Sequence, residues 1–276
     1  MSRTEQLFYV FECTTEGCTA EFYLNDIPII RRGPAFGPFY AGQANQYICD
    51  GINEITIVIS PGSRPGRALT GDSSERTRTT FKDARASARM ARYPFGAVVG
   101  GPDAKDLLRV AWESGSGDSS RYAPLVTGGS ADLGNIFGAW AWQSAPAAIL
   151  DDQSRREIRE FLTSLAASLA AGDAAPFVAA GAARLADTER AYGLQPGERA
   201  EMIRRITKED AAQPWWGIQP LDEAQFDLRV CGRGRLVECI AADWLPILRE
   251  KPDPEGGFGT YSMLLAKTGG AWQIVL

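Results

Sequence analysis

Apolar residues change their spacing near residue 150, and that change limits what the chain can fold into. Before it they alternate with polar residues, as on a strand with one buried face. Beyond it they recur three and four residues apart, as on one face of a helix. Cys18, Ala20, Phe22 and Leu24 alternate with Thr19, Glu21 and Tyr23, and Ile55, Ile57 and Ile59 share one face of a later run. Ile158, Phe161, Leu162, Leu165 and Leu169 keep helical spacing. With 276 residues the chain is long enough for two domains. The expected class is an all-β sandwich over 1–150 followed by an α+β domain over 151–276.

Further strands are expected at Leu7 to Phe11, which ends at the turn Thr14-Thr15-Glu16-Gly17, and at Ile27 to Ile30, Leu107 to Trp112 and Ala139 to Trp142. Residues 60–80 and Glu113 to Ser120 read as loops. Lys82 to Arg92 fits two patterns. As a helix it would line up Lys82, Arg85, Arg89 and Arg92; as a strand it would turn Ala84, Ala86, Ala88 and Met90 inward. The neighbouring strands favour the second.

In the second half, Asp151 supplies an N-cap and Gly172 a stop for the first helix. An alanine-rich helix is expected over about 174–192, and a third after Pro196 with Met202, Ile203 and Ile206 on one face. Two hairpins follow, turning at Gly232-Arg233-Gly234 and at Thr268-Gly269-Gly270.

Phe22 to Pro28, followed by Gln46 to Ile57 with its Gly51-Ile52-Asn53 step, resembles galactose-binding-like jelly-roll domains. In that pattern Asn53 shapes the start of a strand and touches no ligand. Opening helices, and a last strand Ala271-Trp272-Gln273-Ile274-Val275 after Gly269-Gly270, make the second half similar to the NTF2-like superfamily. That superfamily includes isomerases, cyclases, dehydratases and non-catalytic modules, so the resemblance selects no function. The chain departs from it in having no clear strand between the second and third helices.

The chain has no histidine. Nucleophile systems with a histidine base are therefore excluded, as are histidine-ligated zinc and haem. Five cysteines at 13, 18, 49, 231 and 239 form no CxxC pair, so no metal is expected. Neither phosphate-binding glycine pattern occurs, and no cofactor is expected. The net charge of −5 argues against nucleic acid as a partner. Residues 1–6 do not resemble a signal, and no apolar run of 18 occurs, which reads as a cytoplasmic protein without a membrane partner.

The remaining candidates are few. In an NTF2-like enzyme a carboxylate would act as base and a tyrosine as donor, from Glu238, Asp227, Asp243 and Tyr261. Glu238 would enter a pocket if Leu236 and Ile240 face the core, and solvent if Val237 and Cys239 do. Pro214-Trp215-Trp216-Gly217 offers Trp215 and Trp216 as a binding site or as core plugs. Trp140 and Trp142, two apart, form either a carbohydrate platform or a sandwich core, and the core is favoured. Arg64 to Arg92 holds eight basic and three acidic residues, among them Arg64, Arg67, Arg76 and Arg78, and reads first as a solvated loop and second as a docking site for an acidic partner. The leading expectation is a non-catalytic protein-binding protein, such as a bacterial adaptor or an immunity protein that blocks a toxin. The alternatives are a small-molecule enzyme or binder using the C-terminal cavity, and a carbohydrate-binding module.

Overall fold

The computed structural model describes residues 7–33, 37–61, 77–115, 118–222 and 226–276. The chain packs as two compact units, Met1–Ala139 and Trp140–Leu276. Four sheets and four helices are formed among the described residues, and the helices follow the strands of the first unit. Residues 140–150, expected at the end of the first domain, pack within the second unit.

The first unit contains β1 (Leu7–Glu16), β2 (Thr19–Leu24), β3 (Ile27–Arg32), β4 (Phe39–Gln43), β5 (Ile52–Ser60), β6 (Thr77–Lys82), β7 (Arg85–Pro94), β8 (Lys105–Glu113), β9 (Asp118–Ala123) and β10 (Leu125–Asp132). They form antiparallel sheets in the orders β4-β1-β7-β8 and β10-β5-β2-β3, with β6 and β9 paired apart. The two larger sheets share one core: Phe11 and Met90 from the first meet Phe22, Ile55, Ile57 and Ile59 from the second. Each such side chain contributes about 1.5–3 kcal/mol on burial.

Lys82 to Arg92 is a strand for most of its length. Ala84, Ala86, Ala88 and Met90 are all buried, and Arg85 points outward to pair with Glu16. β2 is buried on both faces, not one, because Glu21 on its second face is covered and holds Tyr23 and Arg31. β6 starts inside the loop expected over 60–80 and β9 inside the one expected over Glu113 to Ser120, while β4 and β10 form where no element was expected. β10 alternates in burial, but with small residues such as Gly129, where a Cβ would lie 3.1 Å from the Val110 side chain. Close approach to β8 therefore replaces the apolar signal that marks a strand in sequence.

Asn53 does shape the start of β5. It is fully buried; its Oδ1 accepts from the Cys49 amide (2.9 Å) and from Asn25 Nδ2 (2.7 Å). Its Nδ2 donates to the carbonyls of Cys49 (2.7 Å) and Gly51 (3.0 Å).

The second unit contains α1 (Asp152–Ala170), α2 (Ala175–Ala180), α3 (Ala182–Tyr192), α4 (Glu198–Ala211), β11 (Asp227–Cys231), β12 (Leu236–Ile240), β13 (Leu264–Thr268) and β14 (Ala271–Ile274). The strands form one antiparallel meander in chain order. Asp151 caps α1 by accepting from the Ser154 amide at 2.7 Å. Ile158, Leu162, Leu165 and Leu169 of α1 pack in one core with Val237, Cys239 and Leu265 of the sheet.

The alanine-rich helix is two helices that meet at Gly181. α4 leaves Ile206 41% exposed, so its expected apolar face is only partly used. Ala139 to Trp142 is not a strand. Ala141–Ser144 is a 3-10 turn, held where the Ala141 amide donates to Asp187 at 2.7 Å. Trp140 and Trp142 are each 2% exposed, and Arg190 lies 4.5 Å over the Trp140 ring. They are core residues of the second unit and present no stacking platform.

Candidate functional site

Strand alternation gives the β4-β1-β7-β8 sheet an outer face, opposite the one that carries Phe11, Cys13, Ala88 and Met90. Glu12 of β1, Arg89 of β7 and Arg109 of β8 lie in one cross-strand row of that face. Arg89 Nη2 donates to both Glu12 oxygens at 3.0 Å, and Nη1 donates to Asp106 Oδ1 at 2.9 Å. The Tyr93 hydroxyl donates to Glu12 Oε1 at 2.7 Å and accepts from the Gly100 amide at 3.0 Å. Burial, and then the hydrogen bond to Glu12, push the Tyr93 phenol up, so it stays a donor at neutral pH. The bond to Glu12, against the cost of burial, holds Arg89 above its ordinary range.

This network anchors residues 95–104 over the sheet. Phe95 stacks on Phe8 with ring centroids 5.4 Å apart, while Ala97 and Ala104 pack on Val10, Ala91 and Tyr93. The tip of the segment faces water: Phe95 is 48% exposed, Val98 76% and Val99 47%. Beside the network lies an open depression of about 110 Å³. Glu12, Thr14, Phe39, Ser87, Arg89 and Arg109 are among its lining residues, and the Thr14 and Ser87 hydroxyls lie 2.8 Å apart.

The sequence candidates are placed elsewhere, and of them Asp227 and Glu238 lie on one face of the second unit's sheet beside Arg229. Asp227 pairs with Arg229 at 2.8 Å, and Asp243 with Arg249 at 2.7 Å. Burial pushes the Asp243 carboxyl up, but the Arg249 guanidinium and the Leu245 amide outweigh it and leave it below its ordinary range. Glu238 matches neither expectation. Val237 and Cys239 do face the helix-packed core, yet Glu238 on the other side of β12 is only 7% exposed, across from the buried Arg229. Tyr261 donates to Glu250 Oε1 at 3.0 Å, and burial first and the nearby Glu250 second push its phenol upward. Asp210 is raised by burial and by the charges of Glu250 and Glu209. Glu250 and Asp210 carried no motif; the fold alone brings them to Tyr261.

Trp216 donates from Nε1 to the Leu169 carbonyl at 3.2 Å and packs on the core, while Trp215 is 43% exposed. Arg78 is exposed on β6 and donates to Ser120 Oγ at 2.8 Å. Arg64, Arg67 and Arg76 lie outside the described residues.

Among the described residues no group of three or more Asp, Glu or Cys side chains is arranged to hold a metal ion, and no helix is long and apolar enough to cross a membrane. All five thiols are buried; burial pushes Cys13 up to about 12 and Cys18 up to about 11. A thiol-specific disulfide reagent at pH 8 is expected to label none of the five in the native protein and all five after denaturation. Fast labelling of one native thiol would contradict this packing.

Comparison with protein-family models, curated proteins and solved structures gives no match.

Proposed function

We propose that the chain is a non-catalytic protein-binding protein that docks a partner protein on the outer face of the β4-β1-β7-β8 sheet. The observation that carries this is segment 95–104, which is fastened to the sheet by Tyr93 and Phe8 yet turns Phe95, Val98 and Val99 to water. Apolar side chains held in the open by a rigid base contribute little to the fold and gain burial when a second surface covers them. A role as an adaptor, or as an immunity protein that blocks a toxin, fits such a surface.

Two facing antiparallel sheets and the Asn53 lock support a jelly-roll-like sandwich for the first unit. Helices followed by a meander support the NTF2-like assignment for the second. The described residues between α1 and α4 include no strand, which is the departure already noted in the sequence.

Affinity capture from the native host tests the docking reading with a Phe95→Ser, Val98→Ser variant. Phe95→Ser also removes the contact with Phe8, so the unfolding midpoint is measured alongside, and Val98→Ser alone, which leaves that contact in place, should weaken binding in the same direction. A partner retained stoichiometrically by the natural chain should bind the variant at least about tenfold more weakly. Equal retention by both, or no partner for either, would argue against this face.

A further inference from the structure

We infer that the depression beside this docking face receives a carboxylate side chain of the partner, gripped by Arg109. The inference deepens the docking reading and rests on it for the identity of the partner. Arg109 lies directly across from Arg89 in the β7–β8 register. Like charges placed opposite each other on a sheet repel. Arg89 has its counter-charges, since Glu12 and Asp106 both accept from it. Arg109 has none: it is exposed, and no described residue pairs with it.

Glu12 cannot turn to serve it without giving up Tyr93 and Arg89, which occupy both its oxygens. The row therefore ends in a guanidinium with no counter-ion among the described residues.

The surroundings suit a carboxylate. A planar guanidinium matches a carboxylate with two parallel hydrogen bonds. The Thr14 and Ser87 hydroxyls offer a further donor to it. Phe39, 54% exposed at the rim, gives the methylenes of a glutamate a surface to lie on. The depression, about 110 Å³, has room for one acidic side chain.

The test uses the full chain and two probes, N-acetylglutamate N-methylamide and its glutamine counterpart, followed at the arginine Nε–H resonances. The glutamate probe should shift the signals of Arg109 and of its neighbour Arg89 with a dissociation constant on the order of 10 mM, leave the exposed Arg204 unmoved, and no longer shift Arg89 in Arg109→Gln. The glutamine probe should shift neither. Equal shifts from both probes, equal shifts at Arg204, or none at all, overturn the inference.

Against the captured partner, Arg109→Gln should weaken binding about tenfold to a hundredfold, with Arg109→Lys in between because it loses the fork geometry. If Arg109→Gln binds as tightly as the natural chain while Phe95→Ser, Val98→Ser does not, the docking face stands and the carboxylate site falls. If the probe shifts Arg109 but the loop variant retains the partner, the site stands and the docking reading falls.

Discussion

Asn53→Ala is expected to lower stability by about 4 kcal/mol, the largest loss from any single polar side chain considered. The amide of Asn53 satisfies four groups at once: the Cys49 amide and carbonyl, the Gly51 carbonyl and Asn25 Nδ2. Alanine removes all four bonds at a position with no exposure, so water cannot replace them without opening the turn. Each buried group left unsatisfied costs about 1–3 kcal/mol, and relaxation of the turn recovers part of the sum. Asn53→Asp separates the two halves of the argument. It keeps the acceptor for the Cys49 amide and Asn25 but sets an anion against two carbonyl oxygens, so its loss should also be severe. Urea midpoints with unchanged slopes give the numbers. A loss below about 1 kcal/mol for alanine would mean that the turn holds itself.

Leu162→Ala should cost about 2–5 kcal/mol by the same measurement. Leu162 is 1% exposed at the centre of α1 and belongs to the core that joins this helix to the sheet. Truncation removes its transfer energy and leaves a cavity that a stiff neighbourhood cannot close. Ile206→Ala on α4 is the comparison: at 41% exposure it should cost about 0.5 kcal/mol or less. Similar losses at the two sites would contradict the division between a helix that forms the core and one that flanks it.

Where side chains signal their own burial, the sequence was enough. Ile55, Ile57 and Ile59, the alanines of β7, and the leucines of α1 each occupy the face their spacing predicts. Asn53 was readable too, because an asparagine at a tight strand start has few other uses. The failures share a cause. β10 is a strand because glycine and small residues let β8 approach, and a backbone pairing between distant segments leaves no period of its own. Trp140 and Trp142 obey a two-residue spacing but follow a 3-10 turn fixed by Asp187, 46 positions away.

The candidate site was the least legible part. Glu12 and Arg89 are ordinary outward positions on their strands until the β1–β7 register sets them side by side. Asp106 joins them through a bulge between Met90 and Ala91 that no local signal marks. The Arg-rich run overlaps β7 of this face, but it was singled out for a different reason. Its relevant member is Arg89, whose charge is spent inside the face, whereas the free charge sits on Arg109 beyond the run.

The central claim is that the outer face of the β4-β1-β7-β8 sheet is covered by another protein. Amide hydrogen exchange on the full chain, alone and bound to the captured partner, tests it most directly. Binding should slow exchange over residues 95–104 and along β4, and leave α4 unchanged. Protection confined to the second unit, with 95–104 exchanging as in the free chain, would contradict it.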